Sequence, residues 1–245
     1  MELHVLGSSS SGNCYLFKAS DGVLIVELGK PFADVKKALD WNVRGVVGAL
    51  VSHQHGDHSK FLRDALSCGI RVLALDDVFT AQGITNRAFC TAIEPMHGYK
   101  VGGFKVFTLP VVHDVPCLAF IIEHKEMGRT VFVTDTMMLE YKLPPCQHLM
   151  LEANYSDEIL AYNIDHGITP VGMRERLMAS HMEIKTTEAI LRDNDLTSVQ
   201  DIILLHLSAR NGDGVEFTAR AEKAAGKPVK LARTGWRMNL SPMPY

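Results

Sequence analysis

No disulfide framework is written into this sequence: its five cysteines, Cys14, Cys68, Cys90, Cys117 and Cys146, are odd in number and no two stand at C-x-x-C spacing. They read as buried free thiols, which suits a reducing, cytoplasmic setting. Long apolar runs are missing too. Residues 46–51 and 202–205 typify the runs present, against about 20 residues for a membrane-spanning helix. The opening MELHVLGSSSSGN has no basic stretch followed by an apolar one, so it is not a secretion signal. Strong net charge is absent, with 25 Lys and Arg against 28 Asp and Glu, and nothing global marks a polyanion binder. No internal repeat, low-complexity tract or Pro/Ser-rich linker divides the chain, so residues 1–245 are read as one domain.

Charge is nevertheless uneven. Between residues 218 and 245 stand Arg220, Lys223, Lys227, Lys230, Arg233 and Arg237 against Glu222 alone. A basic lip for a polyanion and an ordinary solvated helix and strand fit that run equally well.

A hydrophobic fraction of 47% in 245 residues is enough to bury a core without covalent staples. Strand-like patterns cover residues 3–6, 14–17, 23–27, 46–51 and 71–75, much of 105–134, and then 149–151 and 201–205. Helical patterns cover 32–39 after Pro31, 61–66, a stretch from Asp76, 187–192 and 217–225, with 156–180 as helix plus loop. Strands in mixed order with interspersed helices imply a layered α/β domain.

The segment SHQHGDHS follows the apolar run 46–51 and contains H-x-H-x-D-H. His53 and His55 stand two apart, so on an extended loop their imidazoles point to one side and can share an ion. Asp57 and His58 stand where the loop turns into a helix and can face a second ion. Further ligands should come from other strand ends, where the functional residues of open α/β sheets gather. His113 closes the apolar run 109–112, Asp135 closes FVTD and His206 closes IILLH. Imidazole and carboxylate donors suit two divalent metal ions, Zn or Mn.

With these residues in place, the sequence resembles the metallo-β-lactamase superfamily over most of its length. The resemblance implies an αββα sandwich with the ions at one edge of the sheets. It implies His53, His55 and His113 around the first ion, Asp57, His58 and His206 around the second, and Asp135 bridging both. The superfamily usually carries Asp in a D-x-G turn that braces the histidine loop from behind. Here the turn reads Glu27-Leu28-Gly29, which keeps the charge and lengthens the brace by a methylene. Redox di-iron members carry Glu where His55 stands, so the imidazole favours hydrolysis.

Two further patches narrow the branch. LEANY (151–155), SHMEIKTTEA (180–189) and HLSAR (206–210) resemble segments of tRNA 3′-processing nucleases, in which a Glu orients a His outside the metal shell. The matching residues are Glu152 and His181. A carboxylate against an imidazole raises its pKa, so His181 can protonate a departing alkoxide. GSSSSGN, the EAN motif and the HM segment resemble the WalJ/YycJ-type branch, bacterial double-strand DNA exonucleases, and its phage-encoded relatives.

The resemblance implies a phosphodiesterase, a DNA exonuclease, with a metal-bridging hydroxide as nucleophile, Asp57 and Glu152 in the catalytic set and His181 as general acid. Ser8, Asn13, Arg174, Ser208 and Arg210, with the amides of residues 8–12, are the candidate phosphate contacts. Two other readings stay open: a small-molecule hydrolase acting on a cyclic nucleotide, lactone or thioester, and a metal-stabilised binding protein without catalysis. The sequence leaves the oligomeric state undetermined.

Overall fold

The computed structural model describes residues 1–243. Fourteen strands form two seven-stranded sheets. The chain up to residue 92 supplies β1 (Glu2–Gly7), β2 (Cys14–Ala19), β3 (Gly22–Val26), β4 (Val46–Leu50), β5 (Val72–Ala74) and β6 (Cys90–Ala92). The chain from residue 98 supplies β7 (Gly98–Val101), β8 (Phe104–Val111), β9 (Cys117–His124), β10 (Gly128–Val133), β11 (His148–Glu152), β12 (Asp201–Leu205) and β13 (Val229–Leu231). The last strand, β14 (Arg237–Asn239), returns to the first sheet and pairs antiparallel with β1.

Both sheets follow one plan. Antiparallel hairpins come first, β1 to β3 and β7 to β10. Parallel crossovers follow, β3 to β6 and β10 to β13. Parallel strands need crossover connections, and helices supply most of them. They are α1 (Phe32–Ala38), α2 (Gly56–Ser59), α3 (Leu62–Ser67) and α4 (Asp76–Ala81) in the first half, and α5 (Asp157–Asp165), α6 (Met173–Ser180), α7 (Ile184–Asp193) and α8 (Gly214–Ala225) in the second.

Period-two alternation divides the apolar residues between faces. Leu3, Val5, Tyr15, Phe17, Leu24, Val26, Phe120, Phe132, Met150, Ile203 and Leu205 meet in the layer between the sheets. Leu16 and Ile25 turn outward onto Val35, Leu62 and Phe79 of the first helices. Val131, Leu149, Leu151, Ile202 and Leu204 turn outward onto Ile184, Ile190 and Phe217. The layers therefore run α, β, β, α, as expected. Fully burying one large apolar side chain contributes about 1.5–3 kcal/mol, and Tyr15 and Phe132 add an edge-to-face contact at 5.2 Å.

The strands at β6, β7, β13 and β14 have no counterpart among the sequence patterns. Each has three or four residues with partly exposed positions, too short for a period to register. Among the described residues no helix is long and apolar enough to cross a membrane.

Four of the six basic residues near the end of the chain have internal partners. Arg220 bonds Glu188, Lys227 bonds the carbonyls of Leu196 and Val199, Lys230 pairs with Asp201 and Arg237 bonds His4. The run serves to fasten α8, β13 and β14, which leaves little of it to form a lip.

Candidate metal centre

The carboxyl ends of β4, β8, β10, β11 and β12 open at one edge of the sandwich. Chain leaving β4 turns through Ser52 and His53 into α2, which presents Asp57 and His58 on its first turn. His113 follows β8, Asp135 follows β10 by two residues, Glu152 ends β11 and His206 immediately follows β12. Two of these edge residues have backbones in the left-handed region, Asp135 at φ 49° and His206 at 54°, as does Glu27, just past β3, at 68°. Non-glycine residues seldom stay there without surrounding structure to hold them, and they gather at functional sites. The tight packing behind the loop is visible at Gly29, where a Cβ would lie 1.6 Å from the Asp57 carbonyl oxygen.

The residues expected to hold ions converge. His53, His55 and His113 form one set, and Asp57, His58, Asp135 and His206 a second, with the ligand-type atoms of each set within 4.8 Å of one another. In the first set His55 Nδ1 lies 3.2 Å from His113 Nε2. In the second, Asp57 Oδ2 lies 3.2 Å from His206 Nε2 and 3.4 Å from His58 Nε2. Asp135 joins the two: its Oδ2 contacts His58 Nε2 and lies 3.8 Å from His53 Nε2.

Four of these histidines have a partner behind the ring. His53 Nδ1 bonds Ser52 Oγ at 2.9 Å, and His113 Nδ1 bonds the Ser180 carbonyl at 2.8 Å. His58 Nδ1 faces Glu27 Oε1 at 3.4 Å. His206 Nδ1 lies 3.1 Å from Asn154 Nδ2 and 3.2 Å from Glu152 Oε1. Such partners fix ring orientation and leave the other nitrogen for an ion. Glu27 thus lies behind His58 without a hydrogen bond to it, and its second oxygen accepts from the Ser52 amide at 3.3 Å.

The electrostatics call for cations. Burial would raise the carboxyls of Asp57 and Asp135, yet the neighbouring histidines outweigh it and hold both well below the usual carboxylate range. Burial opposes charge on His206, but Asp135, Asp57 and Glu152 push its pKa up to about 9. His58 is raised by Asp135 and Glu27 against the same burial penalty. Buried without a hydrogen-bond partner stands His53 Nε2, and both Asp135 oxygens face only histidine nitrogens, those of His53, His58, His181 and His206. Buried polar atoms are ordinarily paired, and an ion held between the donor sets would pair His53 Nε2 with Asp135. The nitrogen and oxygen donors fit Zn or Mn.

The Glu152–His181 pair is present. His181 Nδ1 lies 2.9 Å from Glu152 Oε1 and 2.9 Å from Asp135 Oδ1. Burial disfavours its charge, but those two carboxylates together push its pKa up to about 10. Glu152 is fixed by the Thr136 amide, which donates to Oε2 at 3.0 Å. Asp135, Glu152, His181 and His206 form a third set of mutually close ligand-type atoms, so Asp135 and His206 are shared.

The expected phosphate contacts separate into two kinds. Ser8 and Asn13 are buried, and their side chains serve the site from within. Ser8 Oγ accepts from the His206 amide at 3.0 Å and from Tyr15 at 2.8 Å, while Asn13 Nδ2 lies 2.9 Å from His58 Nε2. Arg174 and Arg210 are exposed and Ser208 is half-buried. Residues passed over in the sequence include Asn154, whose amide also bonds the His206 carbonyl at 2.7 Å, and Asp114, next in sequence to His113. Asn154 carried a signal, its place just beyond a strand that ends in a buried Glu. The Ser180 carbonyl carried none, because a backbone atom leaves no mark in a sequence.

No protein-family model matches the chain. Exodeoxyribonuclease YycJ of Bacillus anthracis is 25% identical over 237 residues, covering 86% of this chain and 84% of that protein. The crystal structure of the metallo-β-lactamase fold protein YhfI from Bacillus subtilis superposes with a TM-score of 0.76 at 18% identity, covering 97% of this chain and 99% of that one. Zn(2+)-bound PqqB from Methylobacterium extorquens gives a TM-score of 0.73 at 14% identity, covering 98% of this chain and 100% of that one.

Proposed function

Given the metallo-β-lactamase fold of this chain, we propose that it is a dinuclear metal-dependent phosphodiesterase that acts on DNA as an exonuclease. The observation that carries the reading is the meeting of two donor sets at Asp135, with His181 held beside them by Glu152. When bound, two divalent ions supply a solvent nucleophile of lowered pKa and neutralise charge on the phosphate oxygens. His53, His55 and His113 hold the first ion. Asp57, His58 and His206 hold the second. Asp135, whose Oδ2 lies near one nitrogen of each set, would be shared between the two.

His181 acts outside that shell. Its Nδ1 is engaged by Glu152 and Asp135, which orients the ring and leaves Nε2 for substrate. A positioned imidazole of this kind donates a proton to the leaving oxygen. Arg174, Arg210 and Ser208 remain the phosphate contacts of this reading, whereas Ser8 and Asn13 act by bracing His206 and His58. The similarity to an exodeoxyribonuclease supports DNA as substrate. The core shared by both sheets supports one folding unit.

The test is loss of label from the ends of duplex DNA in the presence of Zn or Mn, abolished by Asp57→Ala. Intact DNA alongside retained cleavage of bis(p-nitrophenyl) phosphate would turn the reading to small phosphodiesters such as cyclic nucleotides. Turnover of a lactone or thioester that survives His181→Ala, without phosphodiester activity, would replace it with a carboxyl-ester hydrolase.

A further inference from the structure

His55 differs from the other histidines of the two donor sets. The side chains of His53, His58, His113 and His206 are at most 1% exposed, whereas that of His55 is 28% exposed. Packing alone therefore fixes its ring least. Its Nδ1 faces His113 Nε2 at 3.2 Å, so these two nitrogens share the first ion position. A neutral imidazole that ligates through one nitrogen carries its proton on the other. For His55 that proton is on Nε2, and Asp114 Oδ1 faces Nε2 at 3.5 Å.

Asp114 also lies 3.0 Å from His113 Nε2. That nitrogen has no proton to offer once it serves an ion, whereas the His55 N–H does and lies within 3.5 Å of the carboxylate, a contact that a small rotation would turn into a hydrogen bond. Asp114 follows His113 directly in sequence, so it ties the loop after β8 to the histidine loop after β4. From these contacts, and resting on the two-ion reading above, we propose that Asp114 is the positioning residue of His55: its carboxylate holds the His55 ring with Nδ1 toward the first ion position. Partners behind metal-ligating histidines typically contribute about 10–100-fold in ion affinity.

The experiment is a zinc titration against a chromophoric chelator, run on the wild-type chain, Asp114→Ala, Asp114→Asn, His55→Ala and the double variant Asp114→Ala/His55→Ala. Melting curves of the ion-free forms check that each variant folds. The wild type is expected to bind two zinc ions. Asp114→Ala should weaken one of them by about 10–100-fold and leave the other unchanged. Asp114→Asn keeps an acceptor oxygen and should recover most of the loss. In the His55→Ala background, removing Asp114 should change little, since coupled residues are non-additive. Two zinc ions of unaltered affinity in Asp114→Ala would overturn the proposal alone, as would a loss in Asp114→Asn equal to that in Asp114→Ala, or an undiminished loss in the His55→Ala background. A wild-type chain that binds fewer than two zinc ions would overturn the two-ion reading and the proposal with it.

Discussion

The strands β11 and β12 carry a histidine and a carboxylate at each end, set crosswise. At their starts His148 Nδ1 donates to Asp201 Oδ2 at 2.9 Å; beyond their ends His206 Nδ1 meets Glu152 Oε1 at 3.2 Å. About four residues of strand, roughly 13 Å, separate the two pairs. At the start every polar atom of the pair is satisfied: His148 Nε2 faces the Met127 carbonyl at 3.0 Å, and the other Asp201 oxygen takes the Lys230 ammonium. At the end the pair opens onto His53 Nε2, which has no hydrogen-bond partner, and onto Asp135, whose oxygens face only histidine nitrogens. Leaving a buried polar group unpaired costs about 1–3 kcal/mol. A closed pair is cement. An open one, repeated over several histidines, is a place kept for a cation.

The contrast breaks most visibly at the shared carboxylate. Asp135→Ala removes an atom from both donor sets, and losing several kcal/mol of charge stabilisation corresponds to a fall in kcat/KM of about 10³-fold or more. Ion content measured by elemental analysis should fall below two per chain, and an unchanged content with normal turnover would refute the bridging role. His181→Ala should lower kcat by about 10²–10⁴-fold, the usual range for a general acid, while both ions stay bound. Loss of an ion in that variant would instead make His181 a ligand, as its place in the third close set allows.

Stability reads the same contrast from the other side. Saturating ions that bind only the folded state at about 100 times their Kd add about 2.7 kcal/mol per site, and a chain of this size loses about 2–4 °C in Tm per kcal/mol removed. Chelation of both ions should therefore lower the melting temperature by roughly 10–20 °C. His148→Ala, at the closed end, should cost about 1–3 kcal/mol by leaving Asp201 short of a partner, with kcat and ion content unchanged. A drop in turnover there without a drop in Tm would show that the two ends of the strands are not separate in role.

Much of this was legible in the sequence because ligand chemistry uses few residue types at strand ends. The H-x-H-x-D-H run and the residues closing the apolar strands at His113, Asp135 and His206 marked the candidate ligands, and the strand and helix patterns marked the layered fold. The resemblance to the metallo-β-lactamase superfamily divided the ligands into two sets. The expectation for Ser8 and Asn13 went to substrate because a Ser/Gly-rich turn reads as a phosphate cradle. Burial, which no pattern in six polar residues reveals, turns them inward as braces of His206 and His58. Asp114 meets His55, and the Ser180 carbonyl meets His113, only because segments far apart in the chain come together, and their spacing has no period to detect. The basic run after residue 218 was ambiguous for a related reason: pairing with Glu188, Asp201 and backbone carbonyls depends on which strands lie beside it.

The smallest effect is the acid limb of stability at the closed end. Burial would raise the Asp201 carboxyl, but the hydrogen bonds from His148 and Lys230 outweigh it and hold it below its ordinary range. The unfolded chain, with Asp near pH 3.9, therefore takes up this proton before the folded chain does. The stabilisation is present above that value and is lost as pH falls through the lower folded one. Asp201→Asn should melt below the wild type at pH 6 to 7, and the gap should shrink as the pH is lowered below about 4. Asp57 and Asp135, which are also held low, steepen the acid limb of both proteins alike, so the difference between the two melting curves isolates Asp201. A gap that stays constant from pH 7 to pH 2.5 would mean that the pair contributes by packing rather than by charge.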